Sequence, residues 1–173
     1  DTGTICSDTK AFIEKQIFII APQIEILNVT QSISNPDALE VNWMMKHHGY
    51  YSKKIYLYRS ISDMDNWQLI AVMDPHQTSY IDTDVKINEF SYEYKIETNA
   101  DCEPKIGSKI HQSILLTSEK ADSTATISWN NYTDWQQGVN HYEIWVSIDS
   151  GNYELLESTS DLHMGYDPDN KGF

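Results

Sequence analysis

The sequence is poor in basic residues and has no long apolar run. Its 173 residues include 12 Lys and Arg against 26 Asp and Glu, so the formal net charge is −14. Such a charge disfavours nucleic acid and anionic lipid as partners. The longest apolar run, residues 17–22, is far shorter than the ~20 residues of a membrane helix, and no signal-peptide pattern opens the sequence. We therefore expect no nucleic-acid partner and no membrane insertion.

Catalytic and cofactor motifs are also missing. The sequence has no G-x-S-x-G elbow, no phosphate-binding loop, no C-x-x-C pair and no H-E-x-x-H motif. His47 and His48 are adjacent and would point in opposite directions in an extended chain, so a solvated pair is a better interpretation than a metal site. We predict a protein that is not an enzyme, with no catalytic residue, no cofactor and no metal.

Two acidic stretches match a calcium-binding loop only in part. Residues 167–172 have Lys171 where an oxygen ligand belongs. Residues 63–66 have no glycine to turn the loop. Plain turns are therefore the better interpretation of both stretches.

Cysteine is scarce, with only Cys6 and Cys102 present. Each stands ten residues before a Gln that an apolar run follows, so the two occupy equivalent positions in successive modules. Such positions lie on the order of 25 Å apart, whereas a disulfide needs Cα atoms within about 7 Å. We predict no bond between them. A small buried hydrophobe or free thiol is favoured over a partner cysteine outside the sequence.

The sequence contains an internal repeat at an offset of 86 residues. Asn66-Trp67-Gln68-Leu69-Ile70 returns as Asn152-Tyr153-Glu154-Leu155-Leu156. Other pairs at this offset are Trp43 with Trp129 and Tyr80 with Tyr166. A repeat of this length indicates tandem modules of normal domain size. We predict the last strand of a preceding module at residues 1–20, a complete module at 21–112, and at 113–173 a partial module that lacks its last two strands.

Alternating apolar and polar residues predict strands, and no useful window has helical periodicity. The predicted strands of the complete module are residues 23–29, 39–43, 55–58, 67–73, 79–82, 90–96 and 109–116, with a loop at 44–53. The partial module repeats the second to fifth strands, and its first strand is expected at about 113–116, immediately after the module before it. Short strands separated by turn residues favour tandem antiparallel β-sandwiches, an all-β fold. The short junction predicts a fairly stiff rod.

Aromatic residues divide into a predicted core and candidate ligand contacts. The predicted core residues are Trp43, Leu57, Tyr92, Tyr94, Trp129, Tyr142 and Ile144. Tyr50, Tyr51, Tyr132 and Trp135 lie in the loops between the second and third strands of the two modules, where they could stack on sugar rings or a peptide. Cross-strand packing and loop anchoring are the alternative, and the more common use of aromatics in sandwiches.

The residues of the complete module resemble a fibronectin type III module. The resemblance is carried by residues 39–43 with Trp43, the aromatic-rich 55–60, Tyr80-Ile81-Asp82, and 92–96 with two tyrosines. Residues 129–135 and 138–145 are similar to modules of large secreted and gliding-motility-associated surface proteins of the Bacteroidota, which often precede a C-terminal sorting domain for type IX secretion. The resemblance implies an extracellular or cell-surface location.

Together these features predict a non-catalytic spacer or stalk. An adhesin or carbohydrate-binding module is the alternative, and an accessory module of a secreted hydrolase is the third. The expected partners are neighbouring modules of the same chain, with protein or glycan as further options. A module without its last two strands leaves an open sheet edge. We therefore expect that edge to contact the strand predicted at residues 12–20 of another chain, or to be covered by residues outside the sequence.

Overall fold

The structure is a computed structural model that describes residues 23–46, 52–100, 106–122, 124–135, 137–147 and 151–167. Within these residues the chain forms β-strands and no helix, as the sequence predicts. No helix long and apolar enough to cross a membrane occurs in this part of the chain. Several positions with sequence-based predictions lie outside the described residues. They are residues 1–20 with Cys6, His47, His48, Tyr50, Tyr51, Cys102 and residues 168–172.

The first module is an antiparallel β-sandwich. Its strands are β1 (Gln23–Gln31), β2 (Leu39–Lys46), β3 (Ser52–Ile61), β4 (Gln68–Met73), β5 (Ser79–Asp82), β6 (Tyr92–Ala100), β7 (Ile106–Gly107) and β8 (His111–Gln112). One sheet has the order β1-β2-β5 and the other the order β4-β3-β6-β7, with β8 also pairing with β6. This three-on-four arrangement of antiparallel strands is fibronectin type III-like.

Period-2 alternation places the core of the first module between its two sheets. Trp43 on β2, Leu57 on β3, and Tyr92 and Tyr94 on β6 are buried in one cluster. Near the start of β6, the Tyr92 hydroxyl accepts a hydrogen bond from the Lys86 backbone N–H at 2.9 Å. Such a tyrosine corner ties the connection before the sixth strand to the sandwich.

The second module repeats five of these strands. They are β9 (Leu116–Ala121), β10 (Thr124–Trp129), β11 (Tyr142–Val146), β12 (Glu154–Thr159) and β13 (His163–Tyr166). One sheet has the order β13-β10-β9, and β11 pairs with β12 in the other. Trp129 is buried, and Tyr142 and Ile144, also predicted as structural core, are half-buried, with the Tyr142 ring centred 5.7 Å from that of Trp129. The reason is that no described strand covers the side of β11 that β6 covers on β3.

The repeat is preserved in strand register. Tyr58 pairs with Leu69, and at the equivalent place Trp145 pairs with Leu155. Both pairs follow a one-residue bulge, at Ile70 in β4 and at Leu156 in β12. Identical register and an identical bulge indicate that β11 and β12 have the geometry of β3 and β4.

The fifth strands differ in register. Tyr80 pairs with Val41, but Tyr166 pairs with Ala125, which is equivalent to Leu39. The shift is two residues, so the same side chains still face the core. Tyr80 and Tyr166 therefore keep their sequence offset without occupying the same place in the sheet.

Several predicted boundaries are wrong. The predicted loop begins too early, because β2 continues through Met44 to Lys46 and β3 begins at Ser52. The predicted seventh strand at 109–116 is instead the two short strands β7 and β8. The first strand of the second module is β9, which begins at Leu116, the first residue that pairs with β10. Ser113 still bonds to the Tyr92 backbone of the first module, and Leu115 bonds to the Asn130 side chain.

Candidate functional site at the joint between the modules

Three residues, 113–115, connect β8 to β9, and Asn130 after β10 holds them. The Leu115 backbone N–H donates to Asn130 Oδ1 at 2.7 Å, and Asn130 Nδ2 donates to the Ser113 carbonyl at 3.0 Å. The Ser113 Oγ in turn accepts from the Tyr92 backbone N–H at 2.9 Å. One asparagine therefore ties the short connection to the second module while Ser113 stays tied to the first.

The main contact between the modules is made by Tyr132. Its side chain is only 6% exposed, and its hydroxyl accepts from the Val29 backbone N–H on β1 at 2.9 Å. Its own backbone N–H donates to the Tyr142 hydroxyl at 3.0 Å, and that hydroxyl donates to Asn131. Burial raises the pKa of Tyr132 to about 12. The loop is thus anchored in the second module, while its tip bonds to the first.

Trp135 adds a second contact to β1. Its indole Nε1 donates to the Leu27 carbonyl at 2.8 Å, and its ring lies 4.6 Å from that of Tyr132. Leu27 is the bulged residue of β1, without a partner on β2, since Ile26 pairs with Trp43 and Asn28 with Asn42. The bulge leaves the Leu27 carbonyl on this edge strand without a partner on β2, and the Trp135 indole N–H donates to it.

His111 on β8 completes the joint, which we define as Leu27, Val29, His111, Tyr132 and Trp135 with the connection 113–115. His111 is buried, and its Nδ1 lies 3.2 Å from the Tyr132 hydroxyl. Because that hydroxyl accepts from Val29, its own hydrogen is left to donate to an unprotonated Nδ1. Burial lowers the pKa of His111, against the opposing effect of Asp134 and Glu25. A neutral imidazole therefore fits the joint.

A cavity of about 410 Å³ lies beside the joint, and its lining includes Glu25, Lys46, Lys109, His111 and Asp134. Lys46 forms an ion pair with Glu25 across β1 and β2. Among the residues that the structure describes, no group of three His, Cys, Asp or Glu side chains could hold a metal ion. The mixed charges of this cavity offer a polar surface without a preference for ligands of one sign.

A buried charge network crosses the first module from one sheet to the other. Arg59 Nη1 donates to both carboxylate oxygens of Asp82 at 2.9 Å, and Nη2 donates to Asp84 at 3.2 Å. The Tyr94 hydroxyl donates to Asp82 at 2.9 Å. Burial opposes the charge of Arg59, but the hydrogen bonds and charge of Asp82 outweigh it and raise the pKa of Arg59. Burial, followed by Asp82, raises the pKa of Tyr94 as well. Every partner is matched, so the network links the sheets and presents no free nucleophile or base.

Two of the four predicted ligand contacts, Tyr132 and Trp135, are described by the structure, and both contact the first module. Tyr132 is buried in the joint and so offers almost no area to a ligand, and Trp135 is 46% exposed with its indole N–H bonded to Leu27. Tyr50 and Tyr51 lie outside the described residues. For the two described aromatics, loop anchoring describes their contacts better than a stacking platform does.

No role of His111, Arg59 or Asp82 is predicted from the sequence. The sequence pattern does indicate the Arg59–Asp82 pair. Arg59 follows Ile55 and Leu57 at every second position of β3, so it faces the core, and Asp82 lies on the core-facing side of β5. Charges at inward positions are stable only when they are paired. His111 has no comparable local signal.

No protein-family model matches the sequence, and no curated protein matches it. Among solved structures, pectate lyase PelI from Erwinia chrysanthemi in complex with tetragalacturonic acid is 19% identical, with a TM-score of 0.43, over 52% of this chain and 28% of that chain. An Fn3-like protein from Clostridium thermocellum is 16% identical, with a TM-score of 0.42, over 57% of this chain and 95% of that one. The chicken CNTN1 FN1-FN3 domains are 14% identical, with a TM-score of 0.38, over 86% of this chain and 56% of that chain.

Proposed function

We propose that the chain is a non-catalytic spacer of an extracellular bacterial protein, in which the joint holds consecutive modules in one orientation. The observation that carries this proposal is the bonding of Tyr132 and Trp135 to the backbone of β1. Loops at the ends of a sandwich are where ligand-binding residues usually lie. Here the loop that follows β10 is used to hold the neighbouring module.

The short connection supports the same function. Residues 113–115 are bonded at both ends, and a linker of this kind restricts rotation, whereas a long Gly/Ser linker would permit it. Restricted rotation lets a series of modules keep its extension under thermal motion. Extension at a fixed orientation is the property required of a stalk.

The proposed location of the chain is the cell surface or the surrounding medium, and its proposed partners are neighbouring modules. The resemblance of residues 129–135 to Bacteroidota surface-protein modules supports a secreted or cell-surface parent protein, with neighbouring modules of the same chain as the partners. An antibody against the chain should label intact cells of the producing bacterium or detect the protein in its medium. Detection only inside lysed cells would contradict this location.

The experiment that tests the spacer is a measurement of inter-module order in the 173-residue chain. Small-angle scattering and residual dipolar couplings should fit one module orientation for the wild type. Trp135→Ala should broaden the distribution of orientations, because the bond to Leu27 is lost. Trp145→Ala is the matched control, since Trp145 is 50% exposed and lies outside the joint. Equal broadening in both variants, or a wild type that already needs many orientations, would refute the proposal.

The competing function is a glycan- or peptide-binding module. A glycan array probed with the wild-type chain should give no specific signal if the chain is a spacer. A specific signal that Trp135→Ala removes, with module orientation unchanged, would favour the binding module instead.

A further inference from the structure

His111 is a titratable side chain buried where the two modules meet. It is 2% exposed, and its Nδ1 lies 3.2 Å from the Tyr132 hydroxyl. Its ladder partner Tyr94 on β6 is uncharged, because burial raises the pKa of that phenol. The His111 ring also forms part of the wall of the cavity beside the joint, so a proton can reach it from that side. Histidine ordinarily changes its charge between about pH 5 and 8.

Protonation of His111 would remove the acceptor of the Tyr132 hydroxyl. That hydroxyl accepts from the Val29 N–H and donates its own hydrogen to the unprotonated Nδ1. A protonated Nδ1 is a donor, so the Tyr132 oxygen would meet two donors and its hydrogen would lose the acceptor that it has here. A buried hydroxyl without an acceptor and a buried charge both destabilise this contact.

We propose that protonation of His111 releases Tyr132 from Val29 and turns the joint into a hinge at residues 113–115. The inference rests on the proposed spacer function, because it assigns a regulation to the same joint. In the closed joint the Tyr132 hydroxyl bonds to Val29, and in the open joint that bond is broken and the loop after β10 has left β1. The chain is then a stiff spacer at neutral pH and a flexible one in mildly acidic surroundings.

The bonds that acid leaves intact locate the hinge. The Leu115 N–H and the Ser113 carbonyl bond to the Asn130 side chain, and Ser113 also bonds to the Tyr92 backbone of the first module. None of these backbone, hydroxyl and amide groups changes its charge in this pH range. The clamp, which we define as Asn130 with residues 113–115, should therefore hold while the loop tip leaves β1, and the modules rotate about it without unfolding.

The charged groups around His111 set how strongly acid opens the joint. Asp134 in the loop after β10 and Glu25 on β1 attract a protonated imidazole, and Lys109 repels it. Glu25 also forms an ion pair with Lys46. Burial has the largest effect and lowers the pKa of His111 below its ordinary value of 6.5 in the closed joint. The closed joint therefore takes up a proton less readily than the open one, so falling pH favours opening.

The size of the effect follows from this difference in proton uptake. Above pH 6.5, the ordinary pKa of histidine, His111 is neutral in both forms and opening does not depend on pH. Below it the open joint gains a proton that the closed joint resists, so the ratio of open to closed joint rises. From pH 7.5 to pH 5.5 the ratio should rise by up to about tenfold, the limit for a closed joint that stays unprotonated.

The test is an NMR titration of the whole 15N-labelled chain from pH 7.5 to pH 5.5. Residual dipolar couplings report the relative orientation of the modules, and the amide shifts of Val29 and Leu115 report the joint and the clamp. We expect one orientation at pH 7.5 and a broadened distribution at pH 5.5, with the Val29 shift following the titration of the His111 ring. The Leu115 shift and the amides inside both sandwiches should stay unchanged, which distinguishes a hinge from unfolding.

Three variants separate His111 from other titrating groups. His111→Gln has no imidazole and should remove the response between pH 7.5 and pH 5.5. His163→Gln is the matched control and should respond as the wild type, because His163 is exposed on β13 and lies outside the joint. Asp134→Asn should bring the rise closer to the limit of about tenfold, because it removes a carboxylate that favours the protonated ring in the closed joint.

The outcomes also separate this inference from the spacer function. One orientation at pH 7.5 that persists at pH 5.5 would overturn the pH response and leave the spacer function in place. Many orientations at both pH values would overturn both. A response that survives in His111→Gln would assign the effect to another group. A Leu115 shift that changes together with that of Val29 would show release of the whole connection instead of a hinge, and would overturn the proposal as well.

Discussion

Removal of the Asp82 charge tests the buried network of the first module most directly. Asp82 accepts two hydrogen bonds from Arg59, one from Tyr94 and one from the Asp84 backbone N–H at 3.1 Å. Its side chain is 3% exposed and that of Arg59 is 10% exposed. Asp82→Asn therefore leaves the guanidinium charge in the interior with only Asp84 as a carboxylate partner, at 3.2 Å and with a side chain 95% exposed.

The expected cost follows from this burial. Breaking one partner of a buried ion pair costs about 3–5 kcal/mol, because the remaining charge stays desolvated. That is a large part of the roughly 5–15 kcal/mol that stabilises a typical domain. Replacing the whole network by apolar groups should cost less, and the second module has Val146 at the position equivalent to Arg59. The triple variant Arg59→Met, Asp82→Leu, Tyr94→Phe should accordingly be more stable than Asp82→Asn.

The assay is native-state amide exchange, which reports the two modules separately. The opening free energies at Trp43 and Ile96 should fall by about 3 kcal/mol or more in Asp82→Asn. Amides of β10 serve as the internal control and should change little. A loss below about 1 kcal/mol, or a triple variant less stable than the single one, would refute the reasoning.

Two further predictions concern the core and the joint. Trp43→Ala should lower the stability of the first module by about 3–5 kcal/mol in chemical denaturation, and an unchanged midpoint would remove Trp43 from the core. Closure of the joint should weaken as pH falls below 6.5, the ordinary pKa of histidine, because His111 in an open joint takes up a proton that the closed joint resists. Above that pH both forms are neutral and the effect vanishes. Exchange of the Val29 amide would measure this, and a pH response that persists in His111→Gln would contradict it.

Strand positions in the first module follow from local patterns. The strand at Ser79–Asp82 is predicted at the bounds that the structure has, and the alternation of Leu39, Val41 and Trp43 indicates their inward face. These features depend on period-2 patterning, which a single sequence contains. The end of the seventh strand depends instead on contacts with Asn130, which lies outside the module and bonds to the Leu115 N–H and the Ser113 carbonyl.

The joint could not be predicted from local patterns. Its bonds connect Val29 with Tyr132, 103 residues later, and Leu27 with Trp135, 108 residues later. Tyr132 and Trp135 are loop aromatics by sequence, and whether they face a ligand or a neighbouring module depends on the relative placement of two sandwiches. The bulge at Leu27 has no Gly or Pro beside it to mark it.

The joint has a direction. It places the loop of one module against β1 and β8 of the module before it, and these two surfaces are unlike each other. A contact between unlike surfaces is heterologous, and when repeated it extends instead of closing into a pair. An array built on this joint would therefore be polar, with each module fixing the rotation of the next. Any angular change caused by a substitution at Tyr132 would then add up along the array, so its far end would move most.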